Sequence, residues 1–206
     1  MSGAATRAKR GSVDKFAARR RELADSALAA IAEQGYARTG MRDIAAHSAL
    51  SHGALHYYFE DKDDIVRQAI WQYKSECARR YDPIVETAQS ATELVERFAA
   101  EMTATLRDES DMHRLWYDLR NQALFDEGFR ETIIAIDDLL CDMVWAVVTR
   151  YSELRGASPV VDRVEAYALF DGLFLNCLIA YLRGDLSALD RIRESSGRLL
   201  ASAIGS

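Results

Sequence analysis

Between Thr39 and Lys62 the chain reads Thr-Gly-Met-Arg-Asp-Ile-Ala-Ala-His-Ser-Ala-Leu-Ser-His-Gly-Ala-Leu-His-Tyr-Tyr-Phe-Glu-Asp-Lys, and no other stretch restricts the fold so tightly. Met41, Ile44 and Ala45 fall at i, i+3 and i+4, the spacing of one face of a helix. Ser51 stands where an N-cap is needed, so a second helix can begin there and run through Leu55 to Tyr58. Small Ala45 lets that helix approach closely, and Leu55 can pack back onto it. Two short helices held this way form a helix-turn-helix, whose second helix enters the major groove of DNA. Its outward residues are His52, Gly53, Ala54, His56 and Tyr57, groups suited to base edges and phosphates.

The run Ile44-Ala45-x-x-x-Ala49-Leu50-Ser51-x-Gly53-x-Leu55-His56-Tyr57-Tyr58-Phe59-x-x-Lys62 resembles the DNA-binding signature of TetR-type transcriptional regulators. The match fixes residue types over about twenty positions, down to the Tyr-Phe-x-x-Lys ending, and is only general over the body. Ala49 stands where the turn of that family usually has Gly, and His56 where Tyr is frequent, which implies an altered contact. The resemblance implies an all-α fold in which a three-helix DNA-binding module is joined by a connector helix to a ligand-binding and dimerisation body. It further implies Thr39 and Arg42 as phosphate or flanking contacts. Ser51, His52, Gly53, Ala54, His56 and Tyr57 become the reading surface, and Lys62 a phosphate contact at the start of the connector helix.

The formal net charge of −6 is at odds with a DNA partner until the chain is divided. Residues 1–62 hold ten Lys and Arg against seven Asp and Glu, leaving 16 against 25 for the remainder. A basic module on an acidic body fits a DNA-binding protein with a second, non-DNA part. Cys77, Cys141 and Cys177 are scattered and odd in number, so neither a disulfide framework nor a zinc site is indicated, and a reduced cytoplasm is the expected setting. The basic N-terminus has no apolar segment behind it, which argues against a signal peptide. Ala168 to Leu182, the longest apolar stretch, is too short for a bilayer and is interrupted by Asp171, Gly172 and Asn176, so no membrane partner is expected.

The remaining punctuation predicts about nine helices and no strand. Met1–Ser12, with Arg7, Lys9 and Arg10, reads as a flexible basic arm for the DNA backbone or minor groove, or a disordered start. A long helix follows from near Val13 to Gln34, stopped by Gly35. Asp61 can cap the connector helix from Lys62, with Asp63 and Asp64 in its first turn. Ser90–Glu93 is a capping box, and Gly156 stops a long helix from Phe129. Ser158 with Pro159 opens a helix to about Gly184, and a last helix spans roughly Leu186–Ala203. The chain therefore divides into a DNA-binding domain over 1–62 and an effector-binding and dimerisation domain over 63–206.

The helix of residues 160–184 is apolar nearly all round in its C-terminal half, so both sides need cover. One side can face its own body, and the other calls for a second copy. Gly172, Leu175, Ile179 and Leu182, with Ile192 and Leu199 of the last helix, are the expected homodimer contacts, the arrangement that the resemblance also implies. Two copies would read the two half-sites of a palindromic operator. The aromatic body, with amides among its rings, suits an unidentified small organic effector. Trp116, Asn121, Phe125, Trp145 and Asn176 are its candidate contacts. Asp137, Asp138, Cys141 and Asp142 share a helix face but have no His beside them, and read as solvated. No cofactor, metal site or catalytic constellation is recognisable. The expected function is a ligand-responsive regulator, and the resemblance implies a repressor, the commonest activity in that family. The alternatives are a DNA-binding dimer with no effector, and a helical enzyme carrying an incidental helix-turn-helix. A ligand that alters DNA affinity would reject the first, and turnover of a bound metabolite would support the second.

Overall fold

The computed structural model describes residues 3–47 and 51–205, with side chains from Lys15 onward. Among them are ten α-helices and no β-strand, an all-α fold as expected. Ala49 and Leu50, in the turn between the two short helices, lie outside the described residues. The chain separates into two compact units, Met1–Tyr73 with Leu115–Ile133, and Lys74–Arg114 with Ile134–Ser206.

In the first unit, α1 (Gly3–Gln34) starts ten residues earlier than expected, so the segment read as a basic arm is helical from Gly3. Ala4, Ala5, Arg7, Ala8, Lys9 and Arg10 are good helix formers, and the segment has no proline to stop the helix before the apolar stripe begins. Leu23, Ala24, Ala27, Leu28 and Ile31 of that stripe are buried. Gly35 ends the helix at φ 85°, which only a residue without Cβ adopts readily. A 3-10 turn (Tyr36–Arg38) leads into α2 (Met41–His47) and α3 (His52–Tyr58). Ile44 and Leu55 are fully buried, each worth roughly 1.5–3 kcal/mol of apolar transfer. Then comes α4 (Lys62–Cys77), which belongs to this unit as far as Tyr73 and whose start is capped as expected: Asp64 N–H donates to the Asp61 carboxylate at 2.7 Å. The expected boundary at residues 62/63 is therefore the first turn of α4. Leu115–Ile133, from the later part of the chain, completes this unit.

The second unit contains α5 (Asp82–Thr87), a short helix opened by Pro83 that was not expected, and α6 (Ala91–Asp108). Ser90 caps α6, and the Glu93 carboxylate reaches back to the Gln89 N–H at 2.9 Å. α7 (Ser110–Gln122) and α8 (Glu127–Arg155) each have residues in both units. The next helix, α9 (Arg163–Leu182), does not start at Pro159. Val160 N–H instead donates to Ala203 O at 2.9 Å, and Gly205 N–H to Ser158 O at 2.9 Å. Pairing with the chain's end holds this segment extended until Asp162 caps α9 in a box with Glu165. The fold closes with α10 (Ser187–Ser202), which packs on α6 and α9.

By length and composition α9 could cross a bilayer, contrary to the reading of its apolar stretch as too short. Asp162 extends the helix upstream of Ala168. One of its faces nevertheless has cover within the chain: Phe170, Phe174, Cys177 and Leu178 are buried in the second unit.

Candidate nucleic-acid interface

Ser51 lies just outside α3 with an extended backbone, and its hydroxyl accepts the Ala54 N–H at 3.3 Å. The cap fixes where α3 starts, and Leu55, the buried residue of the helix, fixes its rotation. Ser51, His52, Gly53, His56 and Tyr57 consequently point to solvent, with Ala54 half-buried. Tyr57 is 72% exposed although it is a large aromatic. The His52 and His56 rings meet edge to face at 4.9 Å, one helical turn apart. Tyr57 is steadied by Phe16 of α1, with ring centroids 5.7 Å apart. A Cβ at Gly53 would meet nothing within 4 Å, so packing within the chain does not require glycine there.

The flanking residues are not alike. Arg42 is exposed on α2. Thr39 is not: only 2% exposed, it donates its hydroxyl to Gly35 O at 2.9 Å, and this side chain is turned inward rather than toward a phosphate. Lys62 is half-buried; its ammonium donates to Tyr36 O at 3.1 Å and lies 3.8 Å from the centre of the Tyr36 ring. An ammonium has three donors, so these contacts aim Lys62 without exhausting it.

Sequence reasoning missed Arg20 of α1. Its guanidinium donates to Tyr58 O, the last residue of α3, at 3.1 Å and to Asp64 of α4 at 2.5 Å, and stacks 4.6 Å from the Phe59 ring. One arginine thus ties the end of α3 to the start of α4. A hollow of about 360 Å³ lies beside it, lined by residues that include Arg20, His56, Tyr57 and Arg67.

Residues 23–69 match the model for bacterial regulatory proteins of the tetR family. The HTH-type transcriptional regulator PksA of Bacillus subtilis is 24% identical over 188 residues, covering 84% of this chain and 85% of that protein. The HTH-type transcriptional repressor KstR2 of Mycolicibacterium smegmatis is 25% identical over 172 residues, covering 69% of this chain and 81% of that one. Residues 23–69 thus carry a tetR-type DNA-binding region, and the chain is similar to TetR-type regulators over most of its length. Solved TetR-type folds agree across nearly its whole length. A TetR transcription regulator from Haloarcula marismortui superposes with a TM-score of 0.72 at 20% identity, over 91% of this chain and 100% of that one. The regulator FadR from Bacillus subtilis, in complex with stearoyl-CoA, superposes at 0.70 and 18%, over 89% of this chain and 98% of that one.

The expected effector residues are dispersed. Trp116 is buried in the first unit and Trp145 half-buried in the second. Phe125 is 89% exposed and Asn121 is also at the surface, so neither lines an enclosed site; both sit where α7 gives way to α8. Asn176 is exposed too, its amide donating to Gly172 O at 2.7 Å on its own helix. A polar cluster in the second unit was not foreseen. Lys74 is 2% exposed, its Nζ 3.3 Å from His113 Nδ1, and His113 lies against the Phe174 ring at 4.6 Å. Burial lowers the Lys74 ammonium to about 8. Burial, then Lys74 and Arg80, holds His113 well below its usual value, so its ring is neutral. Cys77, Glu109 and His113 bring ligand-type atoms within 4.8 Å of one another. Arg80, however, donates to both Glu109 and Cys77 Sγ, and with Lys74 beside His113 the place is already held by cations.

The expected dimer residues divide similarly. On α9, Ile179 and Leu182 are 49% and 42% exposed, with Gly172 and Leu175 half-buried beside them. Ile192 is fully buried within its own unit, because the stripe of α10 faces α6; it is core, not interface. Leu199 is half-buried. Of the acids on α8, Asp138 and Asp142 bind Arg163 and Asp137 accepts from Tyr167, tying α8 to the first turns of α9.

Proposed function

We propose that the protein is a homodimeric, ligand-responsive repressor of the cytoplasm that leaves a palindromic operator when a small organic effector binds. The observation that carries the reading is the capped α3, which holds His52, Gly53, His56 and Tyr57 outward on a helix seated by one buried leucine. Residues 1–62 serve as the DNA-binding domain, with Arg42 and Lys62 on phosphates. Residues 63–206 serve as the effector and dimer domain. Dimerisation is supported by α9, where Ala168, Leu169, Gly172, Leu175, Ile179 and Leu182 make an outward apolar face. A second copy would remove that face from water and supply the second reading helix that a palindrome requires. An organic effector is supported by the aromatic second unit and by the stearoyl-CoA held in the FadR structure of similar fold. Regulation, not catalysis, is the chemistry these residues suit.

The test is to select bound duplexes from random DNA and then to screen metabolites for release of the selected duplex. A symmetric sequence and at least one releasing compound are expected. For release, the compound must favour the DNA-incompetent state, and DNA must weaken its binding by the same factor. A compound that binds equally well with and without saturating operator is no inducer, and would leave the second unit as a dimerisation scaffold.

A further inference from the structure

Tyr36 lies in the 3-10 turn between α1 and α2 and is half-buried, outside the proposed reading surface. Three segments meet on it. Its hydroxyl donates to the Asp63 carboxylate at 2.6 Å, and its carbonyl and ring hold the Lys62 ammonium, so it grips the first turn of α4 twice. Its backbone N–H donates to the Asp118 carboxylate of α7 at 3.4 Å. Its ring meets Phe129 of α8 edge to face at 5.3 Å, and Phe129 is fully buried. All of these residues belong to the first compact unit, which includes Leu115–Ile133. Partial burial and the Asp63 carboxylate hold the phenol above its ordinary value, so it remains a donor.

The first turn of α4 is also bound to the end of α3, through Asp64, Arg20 and the Tyr58 carbonyl. Tyr36 and Arg20 therefore grip neighbouring residues of one helical turn, one facing residues 115–133 and the other facing the reading helix. Packed rings and paired charges do not deform smoothly; they hold one arrangement or pass to another. A shift of Asp118 and Phe129 would thus alter how α4 begins without touching any residue of α3.

We propose that Tyr36 is a positioning residue that passes the placement of residues 115–133 to the first turn of α4, and through Arg20 to the seat of the reading helix. The proposal rests on α3 being the DNA-reading surface and adds a route by which the second half of the chain acts on it.

The test uses the full-length protein with Asp118→Ala, Asp118→Asn and Tyr36→Phe, followed by amide exchange over residues 52–66. Binding is measured in parallel on duplex selected by the wild type and on random duplex. Losing one hydrogen bond corresponds to about a fivefold change, so Asp118→Ala is expected to speed exchange at residues 62–66 about fivefold. It should weaken selected DNA by a similar factor and leave random DNA within about twofold, since the phosphate-contacting charges remain. Asp118→Asn keeps an acceptor for the Tyr36 N–H and should restore most of both losses, which a role through net charge would not do. Tyr36→Phe, which removes only the Asp63 bond, should speed exchange in the same turn. If Tyr36→Phe melts early, the Asp118 pair decides alone. Unchanged exchange at residues 62–66 in Asp118→Ala, or no rescue by Asp118→Asn, overturns the proposal. If the wild type selects no sequence at all, the DNA-reading assignment fails separately, and the exchange measurements still judge the joint.

Discussion

Helices α3 and α9 each turn a face outward that the protomer does not use, yet the two faces are built from opposite chemistry. On α3 and its cap the outward groups are a hydroxyl, two imidazoles, a phenol and a glycine; on α9 they are Ala168, Leu169, Leu175, Ile179 and Leu182 around a glycine, with the Asn176 amide folded back onto that glycine's carbonyl. At both Gly53 and Gly172 an added Cβ would meet nothing within 4 Å. Neither glycine is thus needed for packing inside the protomer. The difference lies in what water does at each surface. Polar groups on α3 exchange water for base edges and phosphates at little net cost, which favours a reversible and sequence-dependent partner. The apolar face of α9 gains by leaving water altogether, which favours a lasting partner with an equally apolar face.

The sharpest way to break this contrast is Gly172→Arg. The side chain has open space in the protomer, so helical content and melting should stay near those of the wild type. Between two apposed α9 helices it would bury a charge without a partner, and the dimer should dissociate at micromolar concentration in sedimentation. Losing the second reading helix removes its effective-concentration advantage, so operator affinity should fall by about 100-fold or more. A variant that remains a dimer with full affinity would show that α9 does not form the interface.

Gly53→Ala makes the corresponding change on α3, and the expected effect is smaller. Alanine is the better helix former, and Gly53 lies in the first turn of α3 with open space around it, so the melting temperature should hold or rise slightly. A methyl group between α3 and the groove should nevertheless weaken the selected duplex on the order of tenfold, about 1.4 kcal/mol. Stability and affinity would then move in opposite directions. If both hold or rise together, Gly53 is not close to DNA.

The residues behind these predictions were unevenly legible in the sequence. Caps and stops could be read because they are local: Ser51, Asp61 and Gly35 act within a few residues of themselves. Ser158–Pro159 misled for the opposite reason, since the partners that hold it extended lie more than forty residues away at Ala203 and Gly205. An apolar stripe shows that a helix has a face to bury but not against what, so Ile192 passed for interface while buried on its own protomer. The aromatic at 125 looked like pocket lining because residue type carries no information about which side of a turn it leaves by. Lys74 was invisible as a core group, because a charged residue in a helical pattern reads as surface unless its buried partners are known. Tyr36 gave no local sign of its role, because its ties to Asp118 and Phe129 span 82 and 93 positions of sequence.

The smallest expected effects separate reading from holding on the polar side of the contrast. His52 is exposed on the outer face of α3, and a good base contact discriminates by about 1–3 kcal/mol. His52→Ala should therefore relax preference at one base position in each half-site while leaving binding to random duplex almost unchanged. Lys62 is different in kind. Its ammonium is aimed by the Tyr36 carbonyl and ring, at 3.1 and 3.8 Å, with donor capacity left for a phosphate. Lys62→Ala should weaken selected and random duplex by similar factors, and the slope of log affinity against log salt should fall by about 1. A loss of the Tyr36 contacts alone would lower stability and leave that slope intact, because the number of phosphates neutralised would not change. The salt slope, measured beside the melting temperature, therefore decides whether Lys62 reaches DNA or only braces the turn that positions it.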